Sequence, residues 1–143
     1  MSGASALGLI AAGIAVAAHL AIFVLESVLF TRPAVRRLFG VRSADDSAPL
    51  RLFARNQGVY NLGLALVVVV GAALILTAPW GALSGAEVAG PAQAAIGIGV
   101  LVAGCSVMVL AALALAVTAR RLWPAALVQG VPPVIAIGAL LLL

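Results

Sequence analysis

The sequence predicts an all-α integral membrane protein: a four-helix transmembrane bundle formed by a single domain over residues 1–143. Three observations carry this. Of the 143 residues, 65% are hydrophobic and only 8% are charged, where a soluble domain carries about 25% charged residues. The apolar residues fall into four runs, at about 6–30, 52–77, 92–118 and 125–143, and a bilayer needs about 20 residues per helical crossing. Nearly all the charges lie between those runs, and mean hydropathy is +1.28.

The first run, Ala6 to Phe30, is interrupted only by His19, Glu26 and Ser27. It has no Arg or Lys before it and is too long for a signal peptide's apolar region, so it reads as a retained span. Its Ala- and Gly-rich first half suits close helix approach in lipid. Residues 31–51 form a basic polar connection, with Leu38-Phe39 at the interface. The second run starts polar, is purely apolar from Leu62 to Leu76, and stops at Pro79-Trp80-Gly81, with Trp80 at headgroup level. The loop to Pro91 holds one charge, Glu87. In the third run, Ala95, Gly99 and Ala103 recur every four residues as a small-residue packing stripe, with Ala94 and Gly97 beside it more loosely. Arg120 to Pro124 is a tight connection. The fourth run carries Gln129-Gly130 and then Pro132-Pro133, where a kink is expected.

All eight basic residues are Arg, and the net charge is +4. Six lie between Thr31 and Asn56 and the other two are Arg120 and Arg121. This is the pattern of orientation signals and anionic headgroup contacts rather than of nucleic-acid binding. The positive-inside rule places both basic connections in the cytoplasm and both termini outside, in a multi-pass protein of the cell membrane. The single cysteine, Cys105, cannot form an internal disulfide and reads as a small hydrophobe. No metal-ligand spacing and no cofactor signature appears.

Polar residues inside the spans mark the candidate site, because each is expensive in hydrocarbon unless it finds a partner. His19 and Glu26 are seven apart, so they share a helical face, with His19 about 16 Å above the inner end of its span. Asn56, Gln57, Tyr60 and Asn61 cover an arc of roughly 140° near the start of the second span. Arg55 lies nearer the surface, where it snorkels or turns toward Glu26. Gln129 stands about 7 Å above Pro124, beside two carbonyls that Pro132 and Pro133 leave without a donor. All converge on the inner half of the bundle and predict a polar pocket there. Plainer roles stand beside each: an ion pair of Glu26 with Arg55 or Arg32, an N-cap for Asn56, a carbonyl bond for His19, interhelical bonding for Gln57, Asn61 and Gln129, and an interfacial anchor for Tyr60.

The segment Arg55-Asn56-Gln57-Gly58-Val59-Tyr60-Asn61 resembles the Asn-Gln-Gly-x-Tyr-Asn signature of the domain of unknown function 1304 family, small four-span membrane proteins. The His19 to Glu26 spacing and Gln129-Gly130-Val131-Pro132 are similar to that family's other marks, and the resemblance covers essentially the whole chain. It implies the fold and the membrane location, and it implies no activity.

Three functions compete at this level. In the first, His19 and Glu26 form a proton-transfer pair while Arg55, Asn56, Gln57, Tyr60, Asn61 and Gln129 bind a small amphipathic or lipidic molecule. Isomerase- or epimerase-type chemistry fits this better than hydrolysis or redox work, since no nucleophile motif is present. The second is a proton-coupled small-solute transporter, which would need Glu26 nearer midplane and a homo-oligomer to complete its pathway. The third is a structural or accessory subunit. Expected partners are membrane lipids and such a ligand, with no metal and no cofactor.

Overall fold

The computed structural model describes residues 3–42, 46–78 and 89–141. The stop at Pro79-Trp80-Gly81, Asp45 and Glu87 lie outside the described residues. The chain is an all-helical bundle in which four helices are long and apolar enough to cross a membrane. Helix α1 (Gly3–Phe23) continues into a π-helical turn, Val24–Val28, closed by Leu29 N–H donating to the Val24 carbonyl at 2.9 Å. A short α2 (Pro33–Leu38) follows, then α3 (Ala48–Leu76), α4 (Ala89–Thr118), a 3-10 turn (Arg120–Leu122) and α5 (Trp123–Leu141).

The long helices form a closed ring: α1 packs on α3 and α5, α4 packs on the same two, and α1 and α4 face each other across the diagonal. Neighbours run antiparallel. Gly8 near the start of α1 meets Leu140 at the end of α5, and Gly71 late in α3 meets Leu101 and Gly97 early in α4. Up-down-up-down order therefore puts Gly3 and Leu141 at one end of the bundle and both arginine-bearing connections at the other. At that basic end Gly40 has φ +76, and a Cβ on it would run into the guanidinium of Arg121; the bare glycine lets the two connections touch.

The core is built from Ala11, Ala12 and Ala15 of α1, Val68 and Ile75 of α3, Leu101, Cys105 and Met108 of α4, and Ala136 and Leu140 of α5. Association in lipid comes from close packing rather than water exclusion, which explains why so small a set of side chains fills it. The closest approach is between α3 and α4, where a Cβ on Gly71 would stand 2.7 Å from Leu101 N and 2.8 Å from Gly97 O.

Four sequence expectations are corrected. First, the stripe Ala95, Gly99 and Ala103 faces outward, and nothing lies within 4 Å of a Cβ on Gly99. The packing face of α4 is Ala94, Gly97, Leu101, Gly104, Cys105 and Met108, of which the sequence reading had caught Ala94 and Gly97 only loosely. A four-residue repeat of small side chains fits either face of a uniformly apolar helix, so spacing alone does not choose. Second, the second span begins not near residue 52 but at Ala48, where the Ser47 hydroxyl accepts from Leu50 N–H at 3.3 Å and Pro49 occupies the first turn. This is an ordinary helix start, and it leaves Asn56 two turns inside, excluded as an N-cap.

Third, the basic connection contains α2. Its residue Val35 is buried, and below it Phe39 packs on Phe30 with ring centroids 5.9 Å apart. Leu38 is exposed. Fourth, α5 runs helical through Pro132 and Pro133, with Pro133 among the most buried side chains of the fold. The Pro133 ring sits inside the bundle, and neighbouring helices let a membrane helix continue past prolines that leave backbone carbonyls without a donor.

Candidate functional site

The polar contacts between α1 and α3 are gathered where α1 changes to its π-helical turn. A π-turn inserts one extra residue, displaces the local side chains from α-helical register, and often marks a functional position. Here it presents Glu26 and Ser27 together toward α3. The Asn61 amide Nδ2 donates to Glu26 Oε2 at 3.1 Å and to the carbonyl of Gln57, one turn earlier, at 3.0 Å. Ser27 Oγ donates to the Arg55 carbonyl at 2.9 Å. Between these two bonds lies Gly58, fully packed: a Cβ there would strike Ser27 Oγ and come within 3.0 Å of Ser27 N and 3.1 Å of the Phe23 carbonyl. The glycine is what lets the α3 backbone reach the bulge.

Glu26, Gln57 and Asn61 are half-buried in this seam. No ion pair joins Glu26 to Arg55 or Arg32 among the described residues; Asp46 instead pairs with Arg36 and with Arg51. Arg55 is exposed, and its contribution to the seam is its backbone carbonyl.

The expected arc of four polar side chains on α3 divides in two. Gln57 and Asn61 turn to α1, while Asn56 and Tyr60, a turn apart, are exposed on the outer face, Tyr60 at 63%. An arc of roughly 140° is wider than the contact a single neighbouring helix makes, so half of it has to face the bilayer.

His19 lies deeper and is 0% exposed. Its Nδ1 stands 2.9 Å from the Ala15 carbonyl, and since a carbonyl accepts, that nitrogen carries the hydrogen. Nε2 is buried with no partner. His19 and Glu26 are therefore not hydrogen-bonded to each other, and they stand about 10 Å apart along the helix. The α1–α5 contact gives the level of His19 on the opposite side. Gly8 meets Leu140; eleven residues on from Gly8 is His19 and eleven back from Leu140 is Gln129, so the two share a height in the bundle. Gln129 is 8% exposed.

The structure thus brings together Glu26, Asn61 and Gln57, sets His19 and Gln129 at a common deeper level, and turns Arg55, Asn56 and Tyr60 outward. A family model described as protein of unknown function (DUF1304) matches residues 13–141. The chain belongs to the DUF1304 family. No curated protein and no solved structure matches it.

Within this DUF1304 chain, sequence reasoning missed Ser27 and Gly58 as parts of the seam. Gly58 sits inside the segment that carries the family resemblance, and its small size was the available signal: small residues in membrane helices let backbones approach closely. It also missed Gln93, whose Nε2 donates to the Leu74 carbonyl at 3.1 Å and to Thr77 Oγ1 at 3.0 Å, capping α3 from α4 at the end of the bundle away from the arginines.

Proposed function

We propose that this protein binds a small amphipathic or lipidic molecule against the α1–α3 face, its polar end at Glu26. The observation that carries the reading is the carboxyl group itself. Glu26 sits inside an apolar span, half-buried on a π-turn, with Asn61 as its hydrogen-bond donor and no cation paired to it among the described residues. Ionisable groups held in a membrane without a counter-charge are costly and are characteristic of ligand and proton sites. A headgroup that donates hydrogen bonds would complete the coordination of Glu26, with Gln57 beside it and Asn56 and Tyr60 along the outer edge through which a ligand arrives from the bilayer. Any acid–base step falls to Glu26, the group within reach of such a ligand. His19, about 10 Å deeper, acts on it only if the ligand extends inward along α1.

Replacing Glu26 by Gln keeps an acceptor for Asn61 and removes the charge. Hydrogen bonds to a charged group are worth about 1.5–3 kcal/mol. Glu26→Gln is therefore expected to lower retention of a co-purifying molecule by about tenfold or more in native mass spectrometry, with the melting temperature close to that of the parent. Undiminished retention with a lower melting temperature would assign Glu26 to packing and sink the proposal.

The same reading places the arginine-bearing end in the cytoplasm and both termini outside, in the cell membrane. Single cysteines introduced at Arg42 and at Ser2, in a Cys105→Ala background, are expected to react with a membrane-impermeant maleimide in intact cells at position 2 only. Labelling at position 42 alone would reverse the orientation.

A further inference from the structure

Two recesses lie apart from the α1–α3 seam. One is a recess of about 350 Å3 at the basic end, between the α2 region and the connection before α5. Among the described residues its wall holds Arg36, Arg37, Arg42 and Arg121 and no acidic residue. Asp46 engages Arg36 from beside the recess, while Arg37 and Arg121 are exposed with no acid partner among the described residues. The contact of Gly40 with Arg121 holds the two arginine-bearing segments together.

The other is an apolar groove of about 290 Å3 on the outer face between α4 and α5. One wall is Trp123, Leu127 and Val131, successive turns of α5, and Leu113 and Ala116 of α4 form the other. The floor is tight because Gly130 lets the helices close, a Cβ there standing 2.8 Å from that of Ala112. From Trp123 to Ile135 the groove runs about 18 Å along the helix, close to the thickness of one leaflet's hydrocarbon, about 15 Å.

The recess and the groove have lining residues that are close neighbours in the chain. Arg121 lines one and Trp123 the other, and two residues of chain reach at most about 7 Å. A guanidinium pocket at headgroup level, close to a leaflet-deep apolar groove, has the shape and charge of one molecule: an anionic phosphate ester carrying an acyl chain. We infer that this face is a binding site for an anionic phospholipid, its phosphate held by Arg37 and Arg121 and one acyl chain laid along α5. Guanidinium groups suit this task because their forked donors match phosphate oxygens. The site is separate from the Glu26 seam and stands or falls independently of it.

Trp123 reports on it directly. In a Trp80→Phe variant it is the sole tryptophan, and the protein is reconstituted in bilayers containing either dibrominated phosphatidylglycerol or dibrominated phosphatidylcholine, whose bromines quench indole fluorescence on contact. The expected result is half-maximal quenching at a several-fold lower mole fraction of the phosphatidylglycerol. Arg37→Gln and Arg121→Gln should each reduce that preference by about fivefold, the order one arginine contributes at an anionic membrane. The Lys variants should keep most of it, and Val131→Phe should reduce quenching by both lipids. Equal quenching by the two lipids, or a preference untouched in the Arg37→Gln/Arg121→Gln double variant, overturns the inference. So does restoration of fluorescence by inorganic phosphate, which would make the recess a site for free anions.

Discussion

Gly71→Val separates α3 from α4 and lowers the stability of the bundle by about 2–3 kcal/mol. The reason is the identity of the atoms that a new side chain meets. A Cβ at Gly71 falls 2.7 Å from Leu101 N and 2.8 Å from Gly97 O, and a Cβ at Gly97 falls 2.8 Å from Gly71 O. Backbone of one helix faces backbone of the other, so no rotamer change relieves the overlap; the helices must move apart, and their flanking contacts at Val68, Ile75 and Cys105 open with them. Gly99→Ala, on the outer face of α4 with nothing within 4 Å, is the control. It is expected to be neutral or stabilising by up to about 1 kcal/mol, since alanine is the better helix former. Denaturant titration of the protein in detergent micelles reads both. Equal effects at the two positions would mean that the packing face of α4 is misassigned.

His19→Leu is expected to do the opposite, raising stability by about 1–2 kcal/mol while altering whatever the deep end of the site does. His19 is fully buried, its Nδ1–H is used on Ala15 O, and Nε2 has no partner. An unsatisfied buried acceptor costs about 1–3 kcal/mol, and leucine removes it at similar volume. The lost bond to Ala15 O is a minor deficit, because that carbonyl still accepts the helical N–H of residue 19. A histidine kept in a place where leucine is more stable indicates a role other than packing, in keeping with the stability that functional sites commonly give up. Thermal unfolding of the two proteins decides it. Destabilisation by more than about 1 kcal/mol would show that Nε2 has a structural partner, such as an ordered water.

The fold was legible because membrane insertion imposes a strong rule: length and apolarity alone define a crossing. Four runs gave four helices. Helix ends were less legible, since Ser47 and Pro49 start α3 within a stretch whose charges read as loop. Which face of a helix turns inward was least legible. Between Gln93 and Ser106 every position of α4 is apolar, so the outward Ala95, Gly99 and Ala103 and the inward Gly97, Leu101 and Cys105 differ in nothing that a periodicity detects. For the site, polar residues in the spans located the right region, and the Glu26–Asn61 bond joins two of the residues singled out. Its geometry escaped because it depends on the π-turn at Val24–Val28. Straight α-helical spacing puts His19 and Glu26 on one face, but it does not foresee the extra residue that turns Glu26 and Ser27 together onto Gly58.

The seating of α1 against α5 has a consequence for how the chain is made. Ribosomes deliver α1 to the bilayer first and α5 last, yet these two helices are neighbours, with Gly8 on Leu140 and His19 level with Gln129. Until the final span arrives, the first one waits with half of its contact surface, and a histidine side chain, turned toward lipid or toward the insertion machinery. Burial of this histidine therefore waits for α5, and a chain truncated before Trp123 leaves the imidazole without one of the helices that pack on α1.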